Sequence, residues 1–152
     1  MKTKDVAPIL KALGWKAFTD EVGDKYTHYD LPDRVVQIIY GVRKAPDHQE
    51  FESTLSLSAW PFSKACSTIR GRGGSYSPLV RAWTGIHIRA PEILEEHVRQ
   101  VSEEAITWAE AQDIDKALRD HAALPANAPG ARPIWHLAAL ALLGDVARLK
   151  SY

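Results

Sequence analysis

Residues 51–60 alternate between apolar and polar side chains, and this pattern leaves few folds open to the chain. The apolar set is Phe51, Leu55, Leu57 and Ala59, and the polar set is Glu52, Thr54, Ser56 and Ser58. Because successive side chains of a strand point to opposite faces, one face should be buried and the other wet. Such alternation is typical of antiparallel sheets, whereas strands of doubly wound parallel sheets are apolar on both faces.

Three further segments have strand character. Lys25–Leu31 and Arg34–Val42 flank the turn residues Pro32 and Asp33, and Arg81–Arg89 carries a weaker alternation. In Arg34–Val42 apolar residues fall on both parities, so we expect a strand that is central in the sheet or covered on both sides. Together with His48–Trp60, these segments predict an antiparallel sheet of about four strands.

Helical patterns lie at both ends of the chain. A first helix is predicted from a Thr3 cap to about Leu13, and a short one over Phe62–Thr68. After residue 90 the period becomes helical throughout, with a helix opened by Pro91. Its apolar seam is Leu94, Val98, Val101, Ala105 and Trp108. Later helices are predicted over Ile114–Ala123, over Pro133–Leu143 and from Asp145, with Leu124–Arg132 as a linker.

The fold class predicted from these patterns is α+β. We expect one domain over residues 1–152, sheet-rich at about 24–89 and helical at 91–152. A chain of 152 residues is long enough to bury a sizeable core. The helical pattern runs to Tyr152, which leaves open a natural chain that continues past it.

Composition narrows the classes of function. Lys plus Arg and Asp plus Glu are both 19, so the chain lacks the positive excess that sequence-independent nucleic-acid binding needs. No apolar run approaches the roughly 20 residues that span a bilayer, and the first residues do not read as a secretory signal. The single cysteine cannot form an internal disulfide, so we expect a cytoplasmic protein.

Cys66 is the candidate nucleophile of an alternative, enzymatic interpretation. It would need a thiolate, and His87 or His28 on predicted strands would have to activate it. The simpler interpretation places Cys66 as a small apolar residue on the inner face of its helix, because free cysteines are among the most buried residues.

The six histidines predict no metal site. They form no HxxxH, HxH or HExxH pair, which are the short spacings that usually mark zinc ligands. We expect no metal site from these spacings, and a zinc or iron site built from residues distant in sequence is the alternative that stays open. No catalytic or cofactor motif is present either, so we expect no catalytic residue set and no cofactor. His136 lies in an apolar helix and is predicted to be a hydrogen-bonded core residue.

A loop rich in arginine and glycine is the best candidate for binding a partner. Residues 70–75 lack the phosphate-loop pattern GxxxxGK[ST], so a phosphate site is not expected. Arginine, tyrosine and tryptophan are frequent hot spots of protein interfaces. The candidate contacts are Arg70, Arg72, Tyr76 and Arg81, with Asp30 and Asp33 as a second edge. At least three of the five tryptophans lie at core parity and are predicted to build the core, and the simpler interpretation of the loop also places Trp83 there.

The C-terminal segment resembles a degenerate ankyrin-type helix pair. Residues 133–139 read PIWHLAA, and Gly144, Asp145, Val146 and Leu149 follow them. The ankyrin pattern has Leu-His-x-Ala-Ala after Thr-Pro, but here Arg132 replaces the threonine and no second unit follows. The resemblance implies a helix hairpin. Its apolar load suggests a second alternative, an adaptor that docks through residues 134–149.

The layout of the whole chain resembles small bacterial immunity proteins of polymorphic toxin systems. The shared features are a first helix, the bend Gly14-Trp15-Lys16-Ala17-Phe18, a sheet meander and a helical tail. The resemblance implies a non-enzymatic protein that binds one toxin domain and blocks its active site. A protein partner, with neither membrane nor nucleic acid, is therefore the expected interaction, and the oligomeric state stays open.

Overall fold

The structure is a computed structural model and describes residues 1–19, 22–23, 25–71, 76–123 and 132–151. The chain falls into two compact units. Met1–Leu57 with Arg81–Ala111 form the first, called here the sheet unit, and Ser58–Val80 with Gln112–Tyr152 form the second, the helical unit. Among the described residues, no helix is long and apolar enough to cross a membrane.

The predicted α+β class with an antiparallel sheet is confirmed, but the number of strands is not. In the described residues the sheet has six strands instead of about four. The strands are β1 (Lys16–Thr19), β2 (Lys25–Asp30), β3 (Val35–Lys44), β4 (Gln49–Ser58), β5 (Val80–Arg81) and β6 (His87–Ala90). They follow the order β1-β2-β3-β4-β5, and β6 also pairs with β4.

Strand β1 is the element that the sequence patterns missed. It pairs antiparallel with β2, in a register that sets Lys16 opposite His28 and Thr19 opposite Lys25. Only Ala17 of its four residues is even partly buried. A strand without a buried face has no apolar alternation, so nothing in its sequence marks it.

The predicted strand Arg81–Arg89 is split in two by a loop over residues 82–86. The Ser53 hydroxyl holds one end of this loop, accepting from Ile86 N at 3.1 Å and donating to Ile86 O at 2.7 Å. The other end is held by Ala82 N, which donates to Leu55 O at 3.0 Å. An ideal Cβ on Gly85 would overlap the Ser53 carbonyl oxygen, so the close approach of the loop to β4 needs glycine.

Strand β4 buries the face that its alternation predicts, but its other face is only partly exposed to solvent. Phe51, Leu55 and Leu57 are buried as expected, and Phe51 stacks on Tyr40 with ring centroids 6.0 Å apart. On the polar parity, however, Ser56 and Ser58 are buried as well. Alternation identifies the apolar face correctly but does not determine whether small polar residues opposite it reach solvent.

Strand β3 is less completely covered than its sequence predicts. Val35 and Val36 are both buried, so both faces are covered at its start. Ile39, which lies on the same face as Val35, is 41% exposed. Of the two alternatives, the central position is confirmed, because β3 lies between β2 and β4, whereas both faces are covered only at its start.

The first helix begins differently from its sequence prediction. A 3-10 turn over Thr3–Asp5 precedes α1 (Val6–Ala12). Thr3 does not cap it: its hydroxyl accepts from Val42 N at 3.0 Å, while the Asp5 carboxylate accepts from Lys2 N at 2.8 Å. The threonine ties the turn to β3 instead.

Helix α3 (Glu95–Glu110) starts four residues after Pro91, so the proline does not open it. Val98, Val101 and Ala105 are buried as predicted. At the ends of the seam Leu94 is 43% exposed and Ala109 is buried in place of Trp108. Helices α1 and α3 pack against each other.

The helical unit contains α2 (Trp60–Arg70), α4 (Ile114–Ala123), α5 (Pro133–Leu143) and α6 (Val146–Lys150). Helix α5 packs against the other three. The buried residues of this core are Phe62, Cys66, Leu79, Leu118, Ala122, Ala138, Ala139 and Leu140. The predicted bounds of α4 and α5 are confirmed, and Gly144 ends α5 with φ of 73°. The predicted linker lies, apart from Arg132, outside the described residues.

Candidate functional site

Arg70 makes a cation–π contact inside the helical unit. Its guanidinium lies over the ring of Trp135, 4.8 Å from the centroid, and Arg132 approaches the same ring at 5.4 Å. The Trp135 indole N–H donates to Pro78 O at 2.6 Å. Arg70 therefore helps to fasten the end of α2 to Trp135, in addition to the partner contact predicted for it.

The other residues of the predicted arginine loop are distributed over both units. Tyr76 lies in the helical unit, partly buried, with its ring 6.3 Å from that of Trp60 in an edge-on contact. Arg81 lies in the sheet unit, exposed on β5. Arg72 lies outside the described residues.

Asp30 and Asp33 lie at the turn that joins β2 to β3, and each has a cation beside it. The Lys16 ammonium is 3.0 Å from Asp30, and the Arg34 guanidinium is 2.9 Å from Asp33. The hydrogen bond from Arg34 lowers the pKa of Asp33. The predicted second edge is thus an acidic turn whose charges are largely balanced locally.

Cys66 has the environment of a core residue, as its simpler interpretation predicted. Its side chain is fully buried in the helical unit, and burial raises the pKa of the thiol. A thiol of this kind stays protonated and meets no solvent, which is unfavourable for nucleophilic catalysis. The structure therefore adds no support to the cysteine-enzyme alternative.

His136 and helix α5 also behave as residues of a core. His136 is 1% exposed, and its Nδ1 lies 2.9 Å from His121 O, which confirms the predicted hydrogen-bonded histidine. Of the large apolar residues of α5, Leu140 is buried, Ile134, Trp135 and Leu137 are half-buried, and Leu142 and Leu143 are 39% and 43% exposed. The helical unit thus covers part of the apolar surface that suggested the adaptor alternative.

Trp83 is the clearest departure from the sequence prediction, because it is fully exposed. It lies in the loop 82–86, which hydrogen bonds to Ser53 and Leu55 hold at both ends. Of the five tryptophans only Trp15 is buried in the core, at 3% exposure. A large apolar side chain held in solvent by an anchored loop is unusual for a residue whose role is packing.

A polar cluster that no sequence motif indicated lies on one face of the sheet unit. Its centre is Glu50, whose side chain is 11% exposed. Arg43 forms an ion pair with it from β3, and His87 Nε2 on β6 lies 3.4 Å from its Oε1. Glu52, on the same face, lies with its Oε1 3.8 Å from the Arg43 guanidinium. The strand register places Glu52 opposite His87.

His48 extends this cluster at the start of β4. Its Nε2 lies 3.9 Å from Glu50 Oε2, and its Nδ1 lies 2.6 Å from a carboxylate oxygen of Asp47. The hydrogen bond with His48 lowers the pKa of Asp47. The Asp47 contact orients the imidazole so that Nε2 points toward the buried carboxylate.

The sequence signal for this cluster is the spacing His48-x-Glu50-x-Glu52. The spacing contains only one histidine, so it does not match a motif of paired histidines. Because side chains two residues apart on a strand share a face, His48, Glu50 and Glu52 nevertheless lie on one face of the sheet. The contributions of Arg43 and His87 could not be found in this way, since the pairing of strands decides which residues face them.

Comparison with known proteins identifies a family but no function. A profile described as a family of unknown function, DUF6990, matches residues 2–152. Searches of curated proteins and of solved structures gave no match. Since the profile spans nearly the whole sequence, the chain belongs to this family of unknown function.

Proposed function

We propose that this protein is a non-enzymatic binding protein that occludes a protein partner, most concretely an immunity protein that covers the active site of a bacterial toxin domain. The observation that carries the proposal is Trp83, fully exposed on a loop anchored at both ends. Tryptophan is among the residues most enriched at interface hot spots, and pre-ordering lowers the entropy cost of binding.

The neighbours of Trp83 suit an interface of this kind. Arg81 precedes the loop and is exposed, and arginine is the other residue type enriched at such sites. The overall layout of the chain, which resembles immunity proteins, points the same way. Arg81 and Trp83 are therefore the contacts that this proposal rests on. Arg70, Arg72, Tyr76, Asp30 and Asp33 are retained as further proposed contacts.

The test is capture of the partner by tagged chain from native lysate, followed by titration of the purified partner. Trp83→Ala should weaken binding by about 30-fold or more, the effect of losing a hot spot of roughly 2 kcal/mol. Val22→Ala is the matched control, since Val22 is an exposed apolar residue of the same unit at 82%. It should bind like the wild type.

The occlusion mechanism has its own readout. A stoichiometric amount of the wild-type chain should abolish the toxic activity of the partner, both in the purified system and on co-expression. A partner held equally well by Trp83→Ala would place the interface elsewhere. A partner whose activity persists in the complex, or the absence of any stoichiometric partner, would overturn the proposal.

A further inference from the structure

We propose that Glu50, Glu52 and His87 form a binding site for one divalent transition-metal ion of the zinc class. This site is independent of the protein-binding function proposed above. One ligand atom from each residue lies within 4.8 Å of the other two. Two carboxylates and one imidazole are a ligand set that zinc accepts, and a site with three protein ligands keeps a fourth position for water.

One pair of the cluster, His87 and Glu50, already has the spacing of two ligands in a coordination shell. The distance from His87 Nε2 to Glu50 Oε1 is 3.4 Å. Ligands bound to zinc at about 2.0–2.1 Å in a tetrahedron are separated by about 3.4 Å. The pair therefore needs almost no rearrangement to share an ion.

The backbone supports the three side chains rigidly. Glu50 and Glu52 are two residues apart on β4, so both project from the same face. His87 lies opposite Glu52 in the antiparallel register with β6. Sites built on paired strands hold their ligands better than sites on loops do, because hydrogen bonds fix the spacing of the strands.

Arg43 is the cation that the ion would have to displace, and it pairs with Glu50 through Oε2, the carboxylate oxygen other than the one nearest His87. Its guanidinium is paired with Glu50 and lies 3.8 Å from Glu52, so one cation already bridges the two carboxylates. The Arg43 side chain is 65% exposed and can swing into solvent. A divalent ion, with twice the charge and direct bonds to both carboxylates, would displace it.

Asp47 and His48 supply the surroundings that metal sites commonly have. The imidazole of a metal-site histidine is usually oriented by a carboxylate on its other nitrogen. His48 has this arrangement, with Asp47 on Nδ1 and the buried Glu50 carboxylate facing Nε2. His48 is therefore an oriented neighbour of Glu50 in this cluster and is not one of the three proposed ligands.

The test is calorimetric titration of the tag-free full chain with zinc chloride, supported by the visible spectrum of the cobalt(II) form. We expect one ion per chain and the intense absorption of four-coordinate cobalt. Glu52→Gln and His87→Ala should each weaken binding at least tenfold. Both side chains are more than half exposed, at 59% and 53%, so both variants should fold.

Two variants sharpen the interpretation. Arg43→Ala should tighten zinc binding several-fold, because the competing cation is gone. Glu96→Gln, an exposed carboxylate on α3, is the matched control and should bind like the wild type. Binding that survives Glu52→Gln and His87→Ala unchanged would overturn the proposal. So would the absence of binding up to millimolar zinc in both the wild type and Arg43→Ala.

Discussion

At the scale of single residues, one buried hydrogen bond joins distant parts of the sheet unit. The indole N–H of Trp15 donates to Ser102 Oγ at 2.9 Å, across 87 positions of sequence, and both residues are buried. A buried polar group that loses its partner retains its desolvation cost, whereas removal of both partners can be nearly neutral. This bond thus explains why a serine is tolerated on the buried face of α3.

Trp15→Phe should therefore destabilise the protein by about 1–2 kcal/mol, part of it through the buried serine left without its donor. Ser102→Ala alone should cost about 1 kcal/mol. The double variant should lose less than the sum of the two, as a double-mutant cycle by urea denaturation would show. Strict additivity would contradict a direct interaction between the two side chains.

At the scale of elements, the loop 82–86 illustrates how a close backbone approach interrupts a strand. The Arg81–Arg89 pattern favours one strand, but Gly85 lies so near the Ser53 carbonyl that the chain leaves the ladder there. The same contact fixes the loop that presents Trp83. The break between β5 and β6 therefore creates the anchored loop on which Trp83 is exposed.

Gly85→Ala should cost about 2 kcal/mol or more, because the added methyl group must push the loop away from the backbone of β4. Gly41→Ala is the matched control: a Cβ there meets nothing within 4 Å and the residue is also in the sheet unit. Its melting temperature should equal or slightly exceed that of the wild type. Equal melting temperatures for all three proteins would show that the loop yields freely.

At the scale of the whole molecule, the dependence of stability on pH should reveal one histidine. Burial lowers the pKa of His28 below its usual 6.5, since the imidazole lies mostly inside the sheet unit beside Gln37. The unfolded chain then binds more protons than the folded one between these two pKa values. The stability that depends on neutral His28 is fully present above about pH 6.5, and it is lost as the pH falls through the pKa of His28 in the folded state.

The free energy of unfolding should accordingly decrease between pH 7.5 and pH 5.5. His28→Gln should lower stability at all pH values, because His28 also contacts Phe18 and Tyr26, but it should flatten this decrease. Urea denaturation at three pH values measures both effects. An unchanged slope in the variant would assign the pH dependence to other groups.

Elements with an internal period could be predicted from the sequence alone. The alternation of β4 and the apolar seam of α3 indicate which side of each element is buried, because the hydrophobic effect drives apolar faces out of water wherever the element lies. Gly144 ends α5 as predicted, because a left-handed residue is needed there and glycine adopts it without strain. The α+β class follows from these local patterns.

What lacked a local signature was decided by tertiary structure. Strand β1 forms because β2 offers it a partner, and Trp83 is exposed because Ser53 holds its loop. The cluster at Glu50 contains residues of three strands, and the sequence of one strand does not indicate with which other strands it pairs. Burial leaves a period in the sequence, whereas strand pairing and close backbone approach join distant residues and leave none.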